Sequence, residues 1–202
     1  MTEAGIGRIL VASLHQGIAD VLPTRLEFYE SWLHPDGLRL GTIGLAPVQA
    51  VLSFLRQEGE AYGQVTRRAG EYAAEWTVAS QWPTWRTAIR SMPLWLRSQA
   101  ALRIARRTIR STYGSSRAAL TLRRGRGRLD VRGSIFCNIR HTSPQHLCGF
   151  FEAVVSRVLA LYDVPGVVRL DQCRAVGDPS CRIDVTVASR QQPPVRSLAS
   201  LP

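Results

Sequence analysis

Lysine is absent from this chain: all 26 basic residues are arginine, set against 15 acids, and the formal net charge is +11 over 202 residues. A phosphate loop that needs its lysine is thereby excluded. Arginine's planar fork pairs with carboxylates, phosphates and aromatic faces, so anionic or planar partners fit better than cationic ones. Long apolar runs are missing too. The nearest, residues 40–55, is interrupted by Gly41, Gly44, Pro47 and Gln49, short of the roughly 18 residues that a membrane span needs. The opening Met1-Thr2-Glu3-Ala4 has neither the basic stretch nor the apolar run of a secretory signal. That places the protein in the cytoplasm, with Cys137, Cys148, Cys173 and Cys181 as reduced thiols. Enzyme signatures are also lacking. No glycine-rich turn leads from a strand into a helix, as a dinucleotide would require, and there is no Gly-x-Ser-x-Gly or His-Glu-x-x-His. No catalytic residue is assigned.

What is present is an ordinary globular composition, 45% hydrophobic and 20% charged, enough for one core. Ile6, Leu10, Leu14, Ile18 and Val21 recur at helical spacing until Pro23, and Thr24 caps a short helix through Leu33. Pro47 suits a first helical position ahead of Val48, Val51, Leu52 and Leu55, with a break at Gly59. Tyr62, Val65, Ala69, Tyr72, Ala73 and Trp76 stripe a helix ending near Ser80. Pro83 and Pro93 predict a jointed segment over 81–96, and 94–113 reads as a basic amphipathic helix with Arg103, Arg106, Arg107 and Arg110 on one arc.

Beyond Gly114 the pattern alternates. Residues 119–122 and 129–132 flank Arg124-Gly125-Arg126-Gly127 as a hairpin, and residues 134–139, Cys137 among them, continue or add a strand. Ser143-Pro144 predicts the start of a helix over 145–162, apolar almost all round. Residues 167–173 and 181–187 form a second hairpin, and 189–202 read as a mobile tail. The expected architecture is α+β: a helical N-terminal region over 1–80, packed on an antiparallel unit over 81–188 that carries a long buried helix.

The most specific local signal is Cys173-Arg-Ala-Val-Gly-Asp-Pro-Ser-Cys181. Asp178-Pro179 favours a tight turn that brings both cysteines to the base of one hairpin. With Cys148 on the buried helix, three soft ligands meet as a structural zinc would require; the alternative is three cysteines kept for packing.

The run Gly133-Ser134-Ile135-Phe136, Cys148 at the head of an apolar helix, and the Cys173–Cys181 hairpin through Val185 resemble the 4-vinyl-reductase, or hydrocarbon-binding, domain family over residues 90–187. The arginine-rich helix leading into a hairpin is similar to its bacteriochlorophyll-synthesis branch. The resemblance implies a fold akin to trafficking-complex subunits, with an apolar ligand chamber between helices and sheet. It also implies that Cys148, Cys173 and Cys181 hold zinc, as in the family's aromatic-sensing regulators. Their fourth ligand is an acid three residues before the first hairpin cysteine, where this chain has Leu170.

Trp82, Trp85 and Trp95 read either as a lid over that chamber or as core, with Phe150 and Phe151 as its walls and Arg103 and Arg107 at its mouth for carboxylates. The arginine arc reads equally as a solvated face or as a contact for an acidic protein or a peripheral anionic membrane. Nucleic acid is disfavoured, since no aromatic-basic strand motif accompanies the charge. His141 and His146 are either solvent-facing or assist ligation, and Glu152 marks a polar stripe. These readings combine into a carrier or sensor of a hydrophobic small molecule, with a tetrapyrrole of pigment metabolism as the specific case. The alternatives are a vinyl reductase on the same substrate and a helical scaffold that forms a homodimer or binds a partner protein.

Overall fold

Apolar residues at helical spacing build the first layer. The computed structural model describes residues 5–33, 44–123 and 125–188; His34 and the tail expected over 189–202 lie outside them. Leu10, Val11, Leu14 and Ile18 form the buried face of α1 (Arg8–Val21). Pro23 ends that run with a single 3-10 turn before α2 (Leu26–Leu33). Helix α3 (Leu45–Gln57) buries Val48, Val51, Leu52 and Leu55. Pro47 is its third residue, not its first, because none of the first four amides of a helix has an intrahelical partner to lose. Gly59 sits at φ +62°, a conformation closed to most side chains, and α4 (Glu60–Ala79) begins directly after it. The proline joint separates α5 (Pro83–Ser91) from α6 (Leu94–Thr112) as the sequence predicts.

The strands β1 (Arg117–Arg123), β2 (Arg126–Arg132), β3 (Gly166–Gln172) and β4 (Cys181–Val187) form one antiparallel sheet in the order β1-β2-β4-β3. Alternation gives it two faces. Leu129, Val131, Cys181, Ile183 and Val185 turn into the core, while Arg117, Arg123, Arg126, Arg128 and Arg132 are exposed. Helix α6 lies along β1, and α7 (Gly149–Leu161) packs on β3 and α6. The architecture is α+β, a helical layer on an antiparallel sheet.

Two boundaries differ from the sequence reading, and both differences shape the site. Residues 135–137 form a 3-10 turn and not a strand, because Gly133 at φ +70° turns the chain out of the sheet. The buried helix starts at Gly149, not near Ser143. Ser143 caps a local turn instead, its Oγ accepting from the Gln145 amide at 3.2 Å. Its own amide donates to the Ala175 carbonyl at 2.7 Å, tying the loop to the second hairpin.

The apolar chamber expected between layers is filled by side chains. Phe136 stacks on Phe150 at 4.9 Å between ring centroids and meets Phe151 edge-on at 5.4 Å. Phe150 and Phe151 are thus core residues rather than walls open to a ligand. Helices α4 and α7 cross so closely that a methyl group at Gly70 would overlap the Phe150 carbonyl oxygen. Among the described residues no helix is long and apolar enough to cross a membrane.

Candidate metal centre

Four segments deliver one cysteine each to a single point. The 3-10 turn ends on Cys137, Cys148 immediately precedes α7, Cys173 follows β3, and Cys181 opens β4. Their sulfurs all lie within 4.8 Å of one another. The Cys137–Cys148 and Cys148–Cys181 separations are 3.0 Å, while Cys173 and Cys181 lie 3.4 and 3.5 Å from Cys137. These are free thiols, too far apart for the roughly 2.05 Å of a disulfide. Four thiolates about 2.3 Å from a central zinc would sit roughly 3.8 Å apart, close to this spacing. Cys148, Cys173 and Cys181 are wholly buried and Cys137 nearly so.

The chain around the sulfurs is fixed by bonds that leave the thiols free. Asp178 accepts from the Cys173 amide at 2.8 Å, and Gly177, at φ +106°, lets the hairpin close. From the helical layer, Arg56 donates to the Phe136 carbonyl at 3.1 Å and the Tyr62 hydroxyl to the Leu147 carbonyl at 2.9 Å. The residue before each of two cysteines is therefore anchored by α3 or α4. Burial pushes the Tyr62 phenol far above its ordinary range, so it acts only as a neutral donor.

Protons are shared unevenly among the thiols. Hydrogen bonding with Cys137, then with Cys148 and Cys181, holds Cys173 far below the ordinary thiol range. A bond with Cys148 lowers Cys137, while bonds with Cys137 above all push Cys148 and Cys181 well up. Four thiolates this close would repel one another unless a cation lay among them, and a divalent metal bound there would displace the thiol protons.

Sequence reasoning identified three of these sulfurs and missed the fourth. Cys137 supplies the fourth sulfur of the cluster, where the family's pattern has an acid and this chain has Leu170; reading 134–139 as a strand hid it. The available signal was distribution, since the first 136 residues contain no cysteine. Neither His141 nor His146 joins the cluster, and both are exposed. Glu152 is half-buried and faces a surface depression with Arg67 and Arg169.

A separate apolar cleft of about 480 Å³ opens between the start of α6 and the β1–β2 turn. Leu94, Trp95, Leu102, Leu122 and Val187 supply its walls, and Arg123 stands at its edge. Of the residues expected to bind a ligand, Trp95 lines this cleft. Trp82, Trp85, Arg103 and Arg107 are exposed outside that lining.

No protein-family model matches the chain, and no curated protein gives a significant match. Among solved structures, it is similar to an H-NOX protein from S. oneidensis in the Fe(II)NO ligation state. The TM-score is 0.55 at 10% identity, covering 91% of this chain and 100% of the other. An H-NOX domain from Shewanella oneidensis in the Fe(II)CO ligation state gives 0.52 at 10% identity over 91% and 98%. The phenol-responsive sensory domain of the transcription activator PoxR, with phenol, gives 0.48 at 16% identity over 71% and 74%. The 4-vinyl-reductase resemblance is corrected by these findings: no model of that family matches, and the end-to-end likeness is to the H-NOX fold.

Proposed function

We propose that this chain is a small-molecule-binding sensor module whose layers are locked together by a zinc-class ion on Cys137, Cys148, Cys173 and Cys181. The convergence of four buried sulfurs from four separate segments carries the proposal. A dry four-sulfur set suits zinc or iron, and zinc, without redox chemistry, supplies a permanent brace. Metal analysis of the purified protein tests this. About one zinc per chain, released by a mercurial thiol reagent in step with loss of folding, is the expected result. Metal-free protein with undiminished stability would overturn it.

The ligand half of the proposal rests on the cleft at Trp95. The H-NOX proteins with this fold are described with iron(II) carrying NO or CO, which favours a sensing role. Among the described residues, however, the cleft lining holds no His, Cys, Tyr or Met. A tetrapyrrole lodged there would take no iron ligand from it, and nothing in the lining singles out a pigment precursor. We therefore read the ligand as a flat apolar molecule held by Trp95 and the leucines, with any acidic group at Arg123. Titration with 2-naphthoate and with protoporphyrin, followed by Trp fluorescence, separates the two classes. Binding of neither removes this half of the reading and leaves the metal centre standing.

A further inference from the structure

The positive charge of this protein is confined to one stretch. Residues 76–129 hold twelve arginines and no acid, whereas the rest of the chain carries fourteen arginines against fifteen acids. Among the eleven described arginines of that stretch, only Arg90 and Arg128 have a carboxylate partner, Asp163 at 3.8 Å and Asp184 at 3.2 Å. Four of the five tryptophans fall in the same stretch. Trp82 is 81% exposed, Trp95 62% and Trp85 54%.

Helical spacing organises this surface. At 100° per residue, Trp95, Arg103, Arg107 and Arg110 share one arc of α6, and all four are exposed. Trp95 lines the same cleft as Arg123, which lies directly across from Arg126 in the β1–β2 register. Like charges facing each other across a ladder repel, an arrangement relieved by an anion lying over both. Apolar indoles with their N–H edges free, set among guanidinium groups that mostly lack a carboxylate partner, match the interfacial zone of an anionic bilayer: indole at headgroup depth, guanidinium on phosphate.

We infer that the exposed arc of α6, together with the β1–β2 turn, Trp85 of α5 and Trp82 just before it, docks on an anionic lipid bilayer. The docking face is distinct from the metal centre, and it shares Trp95 and Arg123 with the apolar cleft. An apolar ligand dissolved in the bilayer would meet the cleft at the membrane surface, a consequence that rests on the ligand reading above. Nucleic acid fits less well, because the basic and aromatic residues are carried by helices and a turn rather than alternating along one strand face.

Co-sedimentation of the full chain with phosphatidylcholine vesicles, with and without phosphatidylglycerol, tests the docking. The expected result is binding only to the anionic vesicles, weakening as salt rises. The R103S/R107S/R110S variant should bind at least about tenfold more weakly, since each arginine near such a surface contributes separately. Trp82→Ala should also weaken binding. Neither change touches the cleft lining, so naphthoate titration of the same variants should be unchanged. Equal binding to neutral vesicles, retention of full affinity by the triple variant, or capture of a DNA or RNA oligonucleotide in preference to the vesicles each overturns the inference.

Discussion

The sulfur of Cys137 lies 3.0 Å from that of Cys148, although one closes a 3-10 turn and the other precedes the buried helix. This contact turns three candidate ligands into a complete four-sulfur set. Cys137→Ser should leave a three-sulfur site with weakened metal retention. Loss of the ligand should lower unfolding free energy by about 3 kcal/mol or more, because binding energy at such a site is folding energy. Metal content and urea unfolding of the variant check both parts; unchanged metal content and stability would falsify the role of Cys137 as a ligand.

The anchoring bonds around the cluster predict a smaller effect. Tyr62→Phe removes the 2.9 Å bond to the Leu147 carbonyl and leaves that acceptor buried. The expected cost is about 1–3 kcal/mol, together with metal affinity reduced by about 10-fold or more, as when a group that orients a ligand is removed. Competition with a chromophoric chelator measures the second quantity.

The crossing of α4 and α7 has no room for another carbon. Gly70→Ala would drive its methyl against the Phe150 carbonyl oxygen and the Ala153 side chain. Overpacking of this kind costs about 1–3 kcal/mol, which a shift in denaturation midpoint would show. Alanine's better helix propensity, worth up to about 1 kcal/mol, acts in the opposite direction, so a stabilised variant would mean the helices can separate.

Acid sensitivity is expected at Asp20. Its carboxylate accepts from the Tyr72 hydroxyl at 2.7 Å and from Arg68 at 3.0 Å. The Tyr72 bond first, then Arg68 and Gln16, hold its pKa below the ordinary 3.8. A group depressed on folding stabilises the protein fully above its unfolded pKa and loses that contribution as pH falls through the folded value. Thermal stability should therefore drop more steeply below pH 3.8 in the native chain than in Asp20→Asn. Parallel acid limbs for the two proteins would show that this link between α1 and α4 contributes nothing.

The cleft can be probed without disturbing the core. Trp95 is largely exposed, so Trp95→Ala should leave thermal stability nearly unchanged while weakening naphthoate binding by roughly tenfold, the value of a stacked aromatic contact. Calorimetric titration distinguishes this from a general loss of folding.

Much of the secondary structure is legible in the residues. The stripes of α1 and α4, the proline joint between α5 and α6, the hairpin around Gly125 and the strand opening at Cys181 follow from spacing and turn chemistry. These are local properties, decided within a turn or two of helix or between adjacent strands. The arginine-rich stretch is likewise a property of the sequence, since charge is fixed by composition. Only the tertiary structure decided the rest. Cys137 meets Cys173 across 36 positions of chain, and no local pattern specifies which distant segments will meet. The Ser143 loop forgoes the helix that its cap and proline favour because Ala175 and the sulfur cluster hold it elsewhere. The chamber between helices and sheet is closed by Phe136, Phe150 and Phe151 packing on one another. An apolar face has the same sequence signature whether it surrounds a ligand or another side chain, and interior close packing alone settles which.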